Sequence, residues 1–172
     1  MSANFKGDKG FTNLIGENGV SKDDVRIEAI GSVDEAWAAL GFARSIVNNP
    51  IHKAILLCIQ NDLHILMSQL AGTTTAPAGV DLINEAKIDW LEQTNCDLEA
   101  EVVMPKTFIV SGDTPAGGAL AMARTIVRRA ERQVVAMAGQ IENFDTILIK
   151  YLNRLSAVCF MLELAEYASK DI

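Results

Sequence analysis

Hydrophobic residues recur at intervals of three and four along most of the chain, and this spacing predicts amphipathic helices. The pattern is most regular over residues 50–71, after a break at Asn48, Asn49 and Pro50. Its apolar seam consists of Leu56, Ile59, Leu63, Leu66 and Leu70. Because these positions fall on one side of a helix, we predict a bundle helix here.

Two further helices are predicted on either side of this segment. The first is expected to begin at Ser32, because Ser32 and Glu35 form a Ser-x-x-Glu capping box, and to end before Asn48. A shorter helix is expected over residues 80–94. Its inward-pointing side chains are predicted to be Ile83, Ala86 and Trp90.

The C-terminal half predicts two long helices. Thr114 and Pro115 indicate the start of the first, since threonine caps helix N-termini and proline is favoured at the first helical position. It is expected to run to about Ala138, and the last helix is expected over residues 142–169. Residues 105–111 are β-leaning but too few for a helix, so we expect an extended connector.

These patterns predict an all-α fold, a five-helix bundle without well-paired strands. Residues 1–31 are rich in glycine and polar residues, which is typical of an ordered loop. The length fits one domain over residues 1–172. We therefore expect an N-terminal loop over 1–31 and the helical bundle over 32–170.

Composition excludes several classes of function. The formal net charge of the 172 residues is −7, whereas electrostatic nucleic-acid binders carry a concentrated basic surface. No segment has the roughly 20 uninterrupted apolar residues of a membrane span, and the N-terminus lacks the apolar core of a signal peptide. We expect a cytoplasmic protein that binds neither nucleic acid nor a membrane.

Cysteine and histidine do not form a recognisable site. Cys58, Cys96 and Cys159 are widely spaced and include no Cys-x-x-Cys pair, so neither a disulfide framework nor a zinc ribbon is indicated. His52 and His64 lack an acidic partner at ligand spacing, which argues against a metal site built on them. The chemistry is therefore expected from other residue types.

A group of arginines in the fourth predicted helix is the clearest functional pattern. Arg124, Arg128 and Arg132 are spaced by four and stack along one face, with Arg129 and Glu131 beside them. A solvated or salt-bridged helix face would explain this pattern. A polyanion site would also explain it, because arginine forks match phosphate oxygens. The concentration of positive charge in a chain of net charge −7 favours the polyanion site.

Two other segments are candidates for binding phosphate. Residues 6–13 (Lys-Gly-Asp-Lys-Gly-Phe-Thr-Asn), followed by Lys22, combine glycine amides with lysine charges. This is not a Walker A loop, and a plain tight turn is the alternative. Asn153 is the third candidate because asparagine is disfavoured inside helices, although a surface position explains it equally well.

Together these segments resemble the PduO-type corrinoid adenosyltransferase family. The matching segments, in the family's order, are residues 7–12, Lys22, 26–35, 108–112, 123–132 and 151–156. The string Ala-Arg-Thr-x-x-Arg-Arg-Ala-Glu-Arg is long and unusual, so the match is specific. The sequence departs from the family pattern at Lys6, Ser111 to Asp113, Ala121 and Ala157.

The resemblance implies a homotrimeric five-helix bundle that transfers the 5′-deoxyadenosyl group of ATP to the Co(I) of reduced cobalamin or another corrinoid. Triphosphate is released, Mg²⁺ assists, and the metal ligands are left unassigned. By position, the residues that would bind ATP are Asn4, Phe5, Lys6, Gly7, Thr12, Asn13, Lys22, Arg128, Arg129, Glu131, Arg132 and Asn153.

The resemblance also assigns catalytic and interface roles. Arg128 and Phe108 would be the catalytic residues, with the Phe108 ring displacing the lower axial ligand of the corrinoid. Asp34 and Arg124 would form an ion pair between subunits. Since Co(I) is itself a nucleophile, the protein would need only to stabilise the departing triphosphate.

Two alternatives of another class remain at this point. One is a non-catalytic protein on the same scaffold that holds adenosylcobalamin or ATP for delivery or sensing. The other is a structural helical trimer whose arginines only form ion pairs. An enzyme that uses Co(I) would add a flavoprotein reductase to the expected partners.

Overall fold

The computed structural model describes residues 7–72 and 81–168. In this part of the chain a small hairpin precedes five helices, which confirms the predicted all-α five-helix bundle. The elements are β1 (Phe11–Leu14), β2 (Glu17–Ser21), α1 (Val25–Ile46), α2 (Pro50–Leu70), α3 (Glu85–Glu101), α4 (Pro115–Ala138) and α5 (Ile147–Ala168).

The N-terminal segment contains paired strands where the sequence predicted a loop. β1 and β2 run antiparallel, with Phe11 opposite Ser21 and Leu14 opposite Glu17. Gly16 lies in the turn between them with a φ of 81°, a left-handed conformation that glycine adopts without strain. The strands are short and mostly exposed, so they lack the hydrophobic alternation on which strand prediction depends.

The first helix starts earlier than predicted. α1 begins at Val25, and the side chain of Asp24 caps it by accepting a hydrogen bond from the backbone N–H of Arg26 at 2.9 Å. Ser32 is buried inside the helix, so the predicted capping box there is wrong. Aspartate caps helices as well as serine does, which explains the true start. Residues 25–31 therefore belong to the bundle and not to the N-terminal loop.

The third helix is displaced along the chain from the predicted range of 80–94. Asn84 caps it, and its buried side chains are Ile88, Leu91, Thr94 and Leu98. Ile83 is buried as predicted but precedes the helix. Ala86 is exposed, so its predicted inward orientation is wrong, whereas Trp90 is half-buried and packs against the core. The fully buried face of the helix is formed by the other four positions.

α2 and α4 follow the prediction, whereas α5 begins at Ile147, later than the predicted start at residue 142, because the connection from α4 includes Asn143 at a φ of 57°. Asn49 and Thr114 cap α2 and α4, each with a proline at the start of the helix. The seam of α4 is fully buried and consists of Leu120, Ala123, Val127, Ala130 and Val134. α4 packs between α1 and α5, while α2 packs on α1 and α3 packs on α5. Among the described residues, none of the helices is long and apolar enough to cross a membrane.

Three stretches fall outside the described residues. They are residues 1–6, 73–80 and 169–172. The predicted ATP-binding residues Asn4, Phe5 and Lys6 lie in the first of them. Most of the loop expected after Gly72 lies in the second.

A buried polar cluster connects α2, α3 and α5. The Tyr151 hydroxyl donates to Oδ2 of Asp62 at 3.0 Å, and the Nζ of Lys87 lies 2.5 Å from Oδ1 of the same carboxylate. Tyr151 is completely buried. Burial and the negative charge of Asp62 raise the pKa of Tyr151 well above its usual value, so its hydroxyl remains a donor.

We predict that Tyr151→Phe destabilises the fold without changing its architecture. The substitution removes one hydrogen bond to a buried carboxylate, which is expected to lower the free energy of unfolding by about 1–3 kcal/mol. Urea unfolding followed by circular dichroism measures this loss. An unchanged midpoint would show that the hydroxyl contributes nothing to stability.

Candidate functional site

The exposed face of α4 carries the predicted arginines. Arg128, Arg129 and Arg132 are exposed, whereas Arg124 is half-buried. Nη1 of Arg132 donates to the backbone carbonyl of Arg128 at 3.0 Å, and Arg129 forms an ion pair with Glu35 of α1. Within the described residues, no hydrogen bond or ion pair engages the Arg128 guanidinium. This side chain is open to an anionic ligand.

Asn153 of α5 lies beside this face of α4. Its Nδ2 donates to Oε1 of Glu131 at 3.0 Å, and its Oδ1 accepts from Nη1 of Arg154 at 3.0 Å. Arg154 in turn donates through Nε to Glu92 at 2.7 Å, and this hydrogen bond lowers the pKa of Glu92. The amide of Asn153 is thus held at both ends.

The hairpin forms one wall of an open cleft. Thr12 and Asn13 line it together with Asp34 of α1, and its volume is about 630 Å³. Oδ1 of Asn13 accepts a hydrogen bond from the backbone N–H of Gly19 at 3.0 Å, which fixes the side chain on the hairpin. The structure therefore brings two predicted ATP-binding residues and one predicted interface residue into a single cleft.

Lys22 and Gly7 meet at the open end of the hairpin. A Cβ atom on Gly7 would lie 2.9 Å from Nζ of Lys22, so the ammonium group lies directly against the backbone of Gly7. The backbone supports the contact, because the N–H of Lys22 donates to the carbonyl of Gly10 at 2.8 Å. These two predicted ATP-binding residues are therefore adjacent.

Within one chain the predicted ATP-binding residues form two groups. The hairpin group lies around the cleft, and the helical group lies on α4 and α5. In the described ranges, no hydrogen bond or ion pair joins the hairpin to an arginine of α4. Both groups contact α1. Its Asp34 lines the cleft beside the hairpin group, and its Glu35 forms an ion pair with Arg129 of the helical group.

Arg26 fastens the hairpin to α1, a role that sequence analysis did not identify. Its Nη1 lies 2.6 Å from Oε2 of Glu17 on β2, and its Nη2 lies 2.8 Å from Oδ2 of Asp24. Hydrogen bonds from Arg26 lower the pKa of Asp24 to about 2 and also lower the pKa of Glu17. The guanidinium therefore binds both carboxylates in their ionised form.

Phe108 lies in the connector between α3 and α4, which has no regular secondary structure, as predicted. Its side chain is 94% exposed, and Val103 and Val110 nearby are 93% and 77% exposed. Several exposed apolar side chains on one segment indicate a surface that a ligand or partner covers. Phe108 is positioned for contact with another molecule and makes little contribution to the core.

Asp34 and Arg124 are not paired within the chain. Nε of Arg124 lies 3.6 Å from Oε2 of Glu163, and the guanidinium carbon lies 5.7 Å from the centroid of the Phe160 ring. Asp34 is exposed on α1, and none of the ion pairs of the described residues includes it.

The described residues contain no group of three or more histidine, cysteine, aspartate or glutamate side chains that would hold a metal ion. Glu131 is a carboxylate on the arginine face, and its Oε1 accepts the hydrogen bond from Asn153.

The structure is thus a helical bundle with an arginine-rich face on α4, an amide side chain held beside that face and an exposed aromatic residue on the connector before α4. The chain belongs to the cobalamin adenosyltransferase family, whose model matches residues 4–166. The resemblance inferred from the sequence motifs is confirmed.

Curated relatives support this membership. The corrinoid adenosyltransferase PduO of Salmonella typhimurium is 35% identical over 161 residues, which cover 93% of this chain but 48% of that protein. A corrinoid adenosyltransferase of Citrobacter freundii is 32% identical over 167 residues, covering 96% of this chain and 94% of that protein. The chain thus spans about half the length of the PduO protein and nearly all of the shorter relative.

Solved structures show the same fold. A phenylalanine-to-alanine variant of the PduO-type ATP:corrinoid adenosyltransferase from Lactobacillus reuteri, complexed with cobalamin and ATP, matches with a TM-score of 0.87 and 29% identity. The match covers 99% of this chain and 96% of that one. An arginine-to-lysine variant complexed with ATP has a TM-score of 0.86 and 32% identity, covering 98% and 95%.

We predict that Arg26 makes stability sensitive to acid. The folded-state pKa of Asp24, about 2, lies below its usual value near 4, so its contribution is present above pH 4 and is lost as the pH falls towards 2. Arg26→Met should therefore flatten the fall of Tm over that range. Equal slopes for the variant and the parent protein in thermal scans from pH 2 to 7 would contradict the prediction.

Proposed function

We propose that this chain transfers the 5′-deoxyadenosyl group of ATP to the Co(I) of a reduced corrinoid, either cobalamin or an incomplete corrinoid. The observation that carries this proposal is the open arginine face of α4, with Arg128 unengaged and Asn153 held beside it. Family membership over residues 4–166 supports it. So does the ATP and cobalamin bound by a solved relative.

The proposed reaction needs no nucleophile from the protein. The electron pair of Co(I) forms the bond to C5′ of ATP, the C5′–O bond breaks, and its electron pair leaves on the triphosphate. Arg128 and Arg132 neutralise the charge that develops on the leaving group, as preorganised donors do in other active sites. Arg129 and Glu131 complete this side of the proposed site, with Glu131 facing Mg·ATP.

The hairpin group binds the same nucleotide in this proposal. Lys22 supplies charge beside Gly7, and Thr12 and Asn13 supply polar atoms from the wall of the cleft. Asn4, Phe5 and Lys6 are assigned to the ATP site by the resemblance alone. The protein thus holds and orients the substrates and excludes water, while the corrinoid supplies the difficult chemistry.

A homotrimer is the proposed functional unit. The hairpin group and the helical group are separate in one chain, so a site built from both requires the cleft of one subunit to face α4 of the next. Asp34 lines that cleft, and it would pair with Arg124 of the neighbouring subunit. The half-buried position of Arg124 beside Glu163 leaves its guanidinium at the edge of the subunit.

Phe108 has the second catalytic role in this proposal. Its ring, fully exposed on the connector, would displace the lower axial ligand of the corrinoid and leave Co(II) four-coordinate, which makes it easier to reduce.

Co(I) chemistry requires a reducing compartment, and all three cysteines are free. This supports the proposed cytoplasmic location and a flavoprotein reductase as electron donor.

Incubation of the protein with ATP, Mg²⁺ and chemically reduced cobalamin tests the proposed activity. The expected result is loss of the Co(I) spectrum, formation of a light-sensitive alkylcobalamin and release of triphosphate. Binding of ATP and cobalamin without product would instead identify a delivery or sensor protein. Binding of neither substrate would leave a structural role for the bundle.

Arg128→Ala is expected to impair the use of ATP while leaving the fold intact. Removal of a charged donor to phosphate should cost about 2–4 kcal/mol of transition-state stabilisation, which is roughly 30- to 1,000-fold in kcat/KM. Arg44→Ala is a matched control, because Arg44 bonds Gln60 away from the proposed site. Similar values of kcat/KM for ATP in both variants would exclude the role given to Arg128.

Phe108→Ala is expected to separate reduction from transfer. If the ring displaces the lower ligand, its loss should reduce the rate from Co(II) far more than the rate from pre-reduced Co(I). The measurement is the rate of alkylcobalamin formation from each starting state, in the variant and in the parent protein. Equal losses would mean that the ring contributes only to the binding of the corrinoid.

The proposed intersubunit pair is tested by a double-mutant cycle. Asp34→Asn is expected to impair activity or assembly, and Arg124→Ala should add little further harm, because each substitution breaks the same interaction. Activity and mass by light scattering are measured for the parent, both single variants and the double variant. Strictly additive losses, or a fully active monomer, would contradict the pairing.

A further inference from the structure

The connector that carries Phe108 is anchored where it enters α4. Oγ of Ser111 donates to Oε1 of Glu163 at 2.7 Å, and the backbone N–H of Gly112 donates to the hydroxyl of Tyr167 at 3.0 Å. That hydroxyl donates in turn to the same Oε1 at 3.2 Å. One carboxylate oxygen on α5 therefore accepts both hydroxyl groups that hold the connector.

The anchoring carboxylate is itself buried. Glu163 is 1% exposed, and its Oε2 has no hydrogen-bond partner, although Nε of Arg124 lies 3.6 Å away and also lacks one. Burial of a carboxylate is costly unless charges and donors compensate it, and an apolar residue of similar size would fill the space at lower cost. A buried glutamate at this position therefore suggests a role beyond packing.

A glycine of α4 makes room for the anchor. A Cβ on Gly117 would lie 2.3 Å from Cε1 of Tyr167, so the ring packs directly on the helix backbone. In the connector, Gly112 has a φ of 117°, a conformation that favours glycine. Burial raises the pKa of Tyr167, so its hydroxyl stays protonated and can donate to Glu163.

We propose that Glu163 and Tyr167 are positioning residues that hold the connector so that Phe108 stays in place against the corrinoid. This inference rests on the proposed function. A segment without regular structure loses entropy when its side chain is fixed on a ligand, and prior anchoring reduces that cost. Because Glu163 also faces Arg124, it links the Phe108 connector to the proposed subunit interface.

Tyr167→Phe and Glu163→Gln test the proposal, with Tyr151→Phe as the matched control. Tyr151 is a second tyrosine of α5 whose hydroxyl bonds a carboxylate, but its partner Asp62 lies on α2 and not on the connector. Rates of adenosylation are measured from Co(II) with a reductant and from pre-reduced Co(I). The ratio of the two rates reports on Phe108, whereas a general loss of stability lowers both rates together.

In Tyr167→Phe the rate from Co(II) is expected to fall about tenfold and the rate from Co(I) about twofold, which matches the loss of one or two hydrogen bonds. Glu163→Gln should shift the ratio in the same direction. Tyr151→Phe should leave it unchanged. If both anchor variants keep the ratio of Co(II) to Co(I) rates that the parent protein has, the proposal is wrong.

Hydrogen exchange of residues 102–113 gives a readout that does not depend on turnover. Exchange there should be faster in Tyr167→Phe than in the parent or in Tyr151→Phe. Unchanged exchange would show that the anchor does not hold the connector and would overturn the proposal. If the parent protein forms no alkylcobalamin even from Co(I), the proposed function fails, and the exchange data still decide on the anchor.

Discussion

The close packing of α4 between α1 and α5 is the constraint on which the rest of the structure depends. Its buried seam includes Ala123 and Ala130, and small side chains let neighbouring helices approach closely. This approach puts Arg129 beside Glu35 of α1 and Glu131 beside Asn153 of α5. The charged face of α4 is therefore ordered by the apolar face on its opposite side.

The fold was predictable where the local sequence determined the structure. Asn49 and Thr114 are strong caps followed by proline, and their helices begin where predicted. The start of α1 was predicted at the wrong residue because Asp24 and Ser32 are both good caps. Only the packing of Ser32 into the bundle distinguishes the two. The hairpin was missed because the pairing of Phe11 with Ser21 buries little apolar surface.

The candidate site was predictable in part. The four-residue spacing of Arg128 and Arg132 predicted the arginine-rich face of α4. The family resemblance pointed to Asn153 and Phe108. Glu163 and Tyr167 were missed because their contacts with Ser111 and Gly112 connect positions 52 and 55 residues apart, and no local pattern reports such contacts. His52 similarly bonds Glu166, which lies 114 residues away in sequence.

The arrangement of charges on a single helix has a consequence for how the protein tolerates change. Arg124, Arg128 and Arg132 share one rigid axis, so any shift in the tilt of α4 moves all three in concert. Ala130 is fully buried, so a bulkier residue in its place would shift α4. All three guanidinium groups would then move although no arginine is substituted. A substitution in the buried seam of α4 therefore changes where the surface charges lie as well as how the core packs.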